Sequence, residues 1–315
     1  MNIAYSTTVQ WNPGDELILK GIRNLVSKKH TFIVYNRHPL HERIVGDNCY
    51  VHPYGSKLID HVIFAGTPDW SSQDQNPLYL TIKDNDIDFS YIGVGGFVSP
   101  QGVLFEIGQE AAEKEVFTKA KARIVRDKEA NQAIVNSVLA PCPSLFACQT
   151  ETKPRKKKRK ICFNLQGPGK ICTPSDSTLY KIGFLAKSFK DNHGASIVCH
   201  TFNDFVLASE LNLEPFYSSS YLDYFEYYDQ FDLIVGPRIH GSGWGSTLGI
   251  PSITIPHDER ADTAIHLGSE LVDVDEVEGF YETLTDKWIK DKSEYLIELK
   301  DEWRKKYIEM LDYLQ

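Results

Sequence analysis

In FDLIVGPRIHGSGWGSTLGIPSITIPHDERAD, residues 231–262, an arginine and a histidine stand two positions apart just after an apolar run. Arg238 offers a planar fork matched to a carboxylate or a phosphate. His240 is a group that gives or takes a proton near neutral pH. Gly241, Gly243 and Gly245 follow, and glycines there let a backbone approach a ligand or let a helix pack tightly. A helix opening near Ser242 would present free N–H groups to an anion. The plain alternative is an Arg238–aspartate pair with His240 a satisfied interior histidine. The position of both residues past a strand end and before glycines favours a site for an anionic ligand.

Two further stretches could contribute. In NPGDELILKGIRNLV, Gly14 makes a turn, Asp15 is a good N-cap, and Ile18, Ile22 and Leu25 recur at helical spacing. A capped helix explains Asp15 fully, yet Asn12, Gly14 and Asp15 also occupy the first strand-to-helix loop, where ligands are met. In KARIVRDKEANQAIV a short strand ends at Arg126 and Asp127; Asp127 can cap the next helix, and Arg126 either reaches a ligand or holds Asp127. FAGTPDW and IGVGGFVSP are glycine-bearing junctions, but neither is a GxGxxG or continues into Lys-Ser/Thr. A dinucleotide fingerprint and a P-loop are therefore not expected. There is no Gly-x-Ser-x-Gly elbow and no HExxH.

The elements that must position these residues follow from hydrophobic patterning. NIAYST, TFIVYN, HVIFAG and SYIGVGG, then KICFNLQ, ASIVCHTF, FDLIVGP and SITIP, read as strands, several apolar throughout and so covered on both faces. Helical patterns lie between them: DELILKGIRNLVSKK, GQEAAEKEVFTKAKA, DKEANQAIVNSVL, SDSTLYKIGFLAKSFKDN and ERADTAIHLG. This alternation predicts an α/β protein of two doubly wound, Rossmann-like lobes with a ligand cleft between them. The break falls at CQTETKPRKKKRKICFN, where the basic run 155–160 is a solvated linker opening a strand at Ile161. The expected division is an N-terminal lobe over 1–152, a C-terminal lobe over 160–290, and a C-terminal helical segment over 291–315 packed on the lobes. Its stripe is Leu296, Leu299, Trp303, Tyr307, Met310 and Leu311. YLDYFEYYDQFD is expected to be a surface helix leading into the strand before Arg238.

The 315 residues favour two domains, and the net charge of −9 argues against a general nucleic-acid binder. Six scattered cysteines without a CxxC pair are expected to be free thiols rather than a disulfide framework or a zinc site. No metal cluster is visible, so neither an obligatory metal nor a cofactor is expected. No uninterrupted apolar stretch is long enough to span a bilayer, and a cytoplasmic location is expected.

Taken in order, Gly14-Asp15-Glu16, VRDKEA, CPSLF and the block ending GIPSITIPHD resemble the polysaccharide pyruvyl transferase family, whose fold is similar to GT-B glycosyltransferases. The resemblance runs from about Asn12 to His266 and is most specific at Arg238-Ile239-His240 followed by Gly249-Ile250-Pro251. It implies transfer of a pyruvyl group from phosphoenolpyruvate to hydroxyls of a sugar in a glycan or its precursor. Arg238, Ile239, His240, Gly241 and Ser242 would hold the donor, with His240 as general acid and Arg126 a second positive charge. Asn12, Gly14 and Asp15 would shape the acceptor side. Ile239 stands where the family has leucine, Cys142 where an acidic residue usually precedes the PSLF segment, and FAGTPDW replaces a glycine-rich turn. The alternatives are a GT-B-type glycosyltransferase or sugar-nucleotide epimerase, for which Glu259 is a weak ribose ligand, and a non-catalytic family member acting as a binding protein.

Overall fold

The computed structural model describes residues 1–6, 12–35, 49–50, 59–66, 82, 85–96, 118–150, 152–157, 160–168, 175–258 and 260–315. The chain divides into two compact units. One comprises Met1–Trp11, Ile18–Ala147 and Arg304–Gln315, the other Asn12–Leu17 and Cys148–Trp303.

In the first unit, β1 (Asn2–Ser6), β2 (Thr31–Tyr35), β3 (Cys49–Tyr50), β4 (His61–Gly66), β5 (Asp88–Val94), β6 (Arg123–Val125) and β7 (Val138–Leu139) form one sheet in the order β3-β2-β1-β4-β5-β6-β7. Neighbouring strands run parallel. β4 is buried at every residue, as its unbroken apolar run requires of a strand covered on both faces. Ala4, Val62, Phe64, Phe89, Tyr91 and Val125 join one apolar cluster there. Helix α1 (Pro13–Leu25) follows β1 and helix α2 (Lys128–Ala133) follows β6.

The second unit repeats the plan. β8 (Ile161–Leu165), β9 (Ser196–Cys199), β10 (Pro215–Phe216), β11 (Leu233–Gly236), β12 (Ser252–Thr254) and β13 (Glu270–Leu271) lie in the order β10-β9-β8-β11-β12-β13, again parallel. Between them run α3 (Asp176–His193), α4 (Phe202–Glu210), α5 (Tyr221–Asp229), α6 (Ile239–Leu248) and α7 (Ala261–His266); α8 (Val277–Thr283) and α9 (Asp286–Met310) follow. Ser175 caps α3 by accepting from Thr178 N–H, and Gly194 ends it with φ 67°, the left-handed conformation a glycine adopts without strain. Phe163, Leu165, Ile182, Phe189, Ile197, Val235 and Ile253 build the core.

All eight strands expected from patterning are present, as is the short strand expected before Arg126, which is β6. The two-residue strands β3, β7, β10 and β13 were not expected, being too short to show a period. The helix expected over residues 108–122 falls largely outside the described residues. Two helix starts differ from the sequence reading. α1 begins at Pro13, so its cap is Asn12, whose side chain accepts from Gly14 N–H at 3.0 Å; Asp15 lies inside the first turn. An Asn-Pro pair supplies both a good cap and a preorganised first residue, which displaces Asp15 from the cap. α6 begins at Ile239, three residues before Ser242. α5 is not a surface helix throughout: Tyr224 and Tyr228 are fully buried, with Tyr228 stacked on Trp244 at 5.6 Å. Its tyrosines carry enough apolar area to serve as core.

Candidate functional site

In both sheets the strand order reverses next to a central strand, between β1 and β4 and between β8 and β11. Ligands of open α/β sheets bind outside the carboxyl ends of the strands at this point. In the second unit the residues there are those following β8, β9 and β11.

β11 stops at Gly236, whose φ is 139° and where a Cβ would come within 2.3 Å of Asn164 O. Only glycine fits that combination. Asn164 is a buried polar residue in the otherwise apolar β8. Its Oδ1 accepts from Arg238 N–H at 2.8 Å. A Cβ at Gly241 would fall 2.1 Å from Asn164 Nδ2, so the amide fits beneath the first turn of α6. Asn164 thereby fixes both the backbone of Arg238 and the start of the helix.

Arg238 occupies the N-cap position of α6 without a side-chain capping bond. The first N–H groups of a helix have no intrahelical acceptor, and the helix dipole favours negative charge beside them. Ile239 and His240 belong to that first turn and are partly exposed, as is Arg238. Ser242 is buried and its hydroxyl donates to Ile239 O at 2.6 Å. The Arg238 guanidinium is held from below: Nη2 donates to Asp204 Oδ1 and to Thr201 Oγ1, the latter at 3.2 Å. Arg238 therefore does pair with an aspartate, as the plain alternative proposed, while its side chain keeps 18% of its surface exposed against 0% for Asp204.

Behind this pair His200 is buried, with Nε2 2.7 Å from Tyr228 Oη. Burial first, then the nearby Arg238 charge, push its pKa down to about 3, against a smaller opposing effect of Asp204. His200 is neutral at physiological pH. Beyond β12, His257 Nε2 lies 3.2 Å from Asp258 Oδ2, and Arg260 grips the same carboxylate. Burial raises the Asp258 pKa, but the neighbouring His257 and the hydrogen-bonded Arg260 outweigh it and hold the carboxyl well below its ordinary range. Glu259 lies outside the described residues.

Asn12–Leu17 clusters with the second unit, and this brings two of the sequence candidates together. A Cβ at Gly14 would lie 1.9 Å from His240 Nδ1, so the glycine packs directly against the imidazole. Asn12 caps α1 beside it, and Asp15 is buried in the first turn. Arg126 belongs to the first unit, where it is 5% exposed. Its Nη1 lies 3.8 Å from Cys142 Sγ and its Nε 4.0 Å from Asp127. Asp127 caps α2 as expected, accepting from Ala130 N–H at 3.0 Å and also from Gly96 N–H at 2.8 Å. Cys142 precedes the short 3-10 helix Pro143–Phe146.

Asn164, Thr201, His200 and Asp204 were missed by sequence reasoning. Signals existed for three of them: Asn164 interrupts an apolar strand, and Thr201 with Asp204 has the spacing of a capping box, which α4 indeed forms. Among the described residues no group of three His, Cys, Asp or Glu could hold a metal ion. Among them, too, no helix is long and apolar enough to cross a membrane.

Two Rossmann-type parallel sheets in one chain, with an arginine and a histidine at a strand-end helix start, define an α/β protein of the two-lobed GT-B type. The chain belongs to the polysaccharide pyruvyl transferase family, whose model matches residues 12–259. A search of curated protein sequences finds no match. Among solved structures, S. aureus MnaA with UDP has a TM-score of 0.54 at 10% identity, over 93% of this chain and 90% of that one. The Methanocaldococcus jannaschii UDP-GlcNAc 2-epimerase in complex with UDP-GlcNAc and UDP has a TM-score of 0.52 at 10% identity, over 94% and 93%. At such identities the likeness is one of fold.

Proposed function

We propose that this protein transfers a pyruvyl group from phosphoenolpyruvate to hydroxyls of a sugar in a glycan or glycan precursor. The observation that carries the reading, beside family membership, is Arg238 at the N-terminus of α6 with His240 two residues on. The donor bears a carboxylate and a phosphate, and an arginine fork plus helix N–H groups is a receptor for such groups. In this reading His240 delivers a proton to the donor's methylene carbon while a sugar oxygen attacks the adjacent carbon. The phosphate then leaves as its C–O bond breaks, with the helix N-terminus and Arg238 stabilising its charge. Either a second sugar hydroxyl takes its place to close a ketal, or the new methyl gives back a proton to leave an enol ether. Each attacking hydroxyl gives its proton to the phosphate or to solvent. Ile239 and His240 contribute backbone N–H groups, Gly241 and Ser242 brace the turn, and Asn12, Gly14 and Asp15 shape the acceptor side.

The test is thermal stabilisation by phosphoenolpyruvate, with sugar nucleotides in parallel. A ligand well above its dissociation constant adds roughly 2–4 kcal/mol, a shift of several degrees in Tm. We expect phosphoenolpyruvate to produce that shift, Arg238→Ala to remove it, and His240→Ala to keep it while losing turnover. A shift with sugar nucleotides alone would replace this reading with glycosyl transfer or epimerisation. His240→Ala turning over at the parental rate would remove the acid assignment.

A further inference from the structure

Asp204 is more heavily engaged than a helix cap requires. A capping box at the start of α4 needs only the reciprocal bonds between Thr201 and Asp204, and these are present. Beyond them Asp204 Oδ2 accepts from His200 N–H at 3.0 Å as well as from Thr201 N–H at 2.9 Å. Oδ1 accepts from Gly167 N–H at 2.7 Å and from Arg238 Nη2. A carboxylate has about four lone-pair sites, and here each has a donor. The loops after β8 and β9 thus converge on one buried carboxylate, and among the described residues Arg238 is the only side chain of its four donors. Gly167 permits this, since a Cβ there would lie 2.4 Å from Asn203 O.

On the arginine, the contacts with Asp204 and Thr201 both fall on Nη2, and Nε is buried with no hydrogen-bond partner among the described residues. One corner of the fork is pinned between Asp204 and Thr201, and the rest of its N–H groups are directed by that pin. A lysine or a free arginine would have to lose rotamer freedom on meeting a ligand; this guanidinium has already lost it.

We propose that Asp204 is a positioning residue for the donor: it fixes the Arg238 guanidinium so that the remaining N–H groups meet the donor's anionic groups in one orientation. The inference rests on phosphoenolpyruvate being the donor. It assigns donor affinity to the Asp204–Arg238 pair rather than to Arg238 alone.

A double-mutant cycle tests it, using Asp204→Asn, Arg238→Lys and the two combined, with the phosphoenolpyruvate dissociation constant, KM and kcat as readouts. Asp204→Asn weakens donor binding about tenfold, with a smaller fall in kcat, and in the Arg238→Lys background it adds no more than about twofold, because nothing is left to position. Full additivity overturns the proposal, since Asp204 then only holds the loops together. If Asp204→Asn does not fold, Thr201→Val takes its place. It deletes the second oxygen on Nη2 and leaves the carboxylate, and its effect of about threefold disappears beside Arg238→Lys, additivity again counting against the proposal. Parental protein that does not bind phosphoenolpyruvate removes the donor reading and this proposal with it. Parental binding with an additive cycle removes the proposal alone.

Discussion

At the scale of single residues, the pair Arg238 and His240 was legible because strand end, arginine, histidine and glycine lie within a few positions of each other. Their supports were not, since Asn164 is 74 residues from Arg238 and Asp204 is 34 residues from it. No local pattern encodes such partners; only the strand order brings them to one edge. The same holds for Gly14, which reads as a turn residue in the sequence and which serves to admit the His240 ring. Gly14→Ala tests that role. Its φ is not in the left-handed region, so alanine suits the backbone, but the methyl would lie 1.9 Å from Nδ1 and 2.0 Å from Cγ of His240. The imidazole must swing away, and a misplacement on the order of 1 Å costs up to about 100-fold in rate. We expect kcat to fall by about 10–100-fold while the phosphoenolpyruvate-induced Tm shift persists. An unchanged kcat would show that the ring's position against Gly14 is immaterial.

At the scale of elements, α6 accounts for the glycines that open the puzzle. Of the two uses the sequence left open, packing accounts for Gly241 and Gly245, one turn apart on the same face. Gly241 covers Asn164, and a Cβ at Gly245 would meet Ile250 O at 2.6 Å and approach Ser252 and Ile234 at 3.5 Å. The helix is buried from Gly241 through Leu248, so its composition reports close approach to β11 and β12 rather than intrinsic propensity. This is also why its start was misjudged: a run so rich in glycine has no clear helical signal, and tertiary packing sets the boundary. Gly245→Ala separates the two effects. Helix propensity alone would stabilise by about 1 kcal/mol, whereas overpacking against a backbone carbonyl costs roughly 1–3 kcal/mol. Because the obstacle is main chain bonded back to the helix, with Ile250 N–H donating to Gly245 O at 2.8 Å, it cannot rotate aside. We expect a lower Tm, and a rise would mean that α6 has room on that face.

At the scale of the whole molecule, alternation of apolar runs with helical patterns was sufficient to read two parallel α/β units, because parallel strands need crossovers and crossovers need helices. The order of strands, the two-residue edge strands and the assignment of Asn12–Leu17 to the second unit depend on packing between distant segments and left no trace in the pattern. Each unit also carries a buried histidine, and both contribute to how stability responds to acid. His61 in the first unit, 3.0 Å from Ser90 Oγ, has its pKa lowered from 6.5 to about 4, mainly by burial, with Asp88 opposing and Lys121 and His30 assisting. His200 in the second is lowered from 6.5 to about 3. In each case the unfolded chain binds a proton that the folded one refuses, so the folded state is favoured in full above pH 6.5 and loses that advantage as pH falls toward the folded pKa. The loss is at most about 1.4 kcal/mol per pH unit for each group. Unfolding followed between pH 7 and pH 4.5 (within roughly the window those pKa values define) should therefore show stability declining with acid. His61→Gln and His200→Gln, which cannot titrate, should each flatten the decline. If both variants keep the parental slope, the acid sensitivity belongs to other groups and the two histidines titrate alike in the folded and unfolded chain.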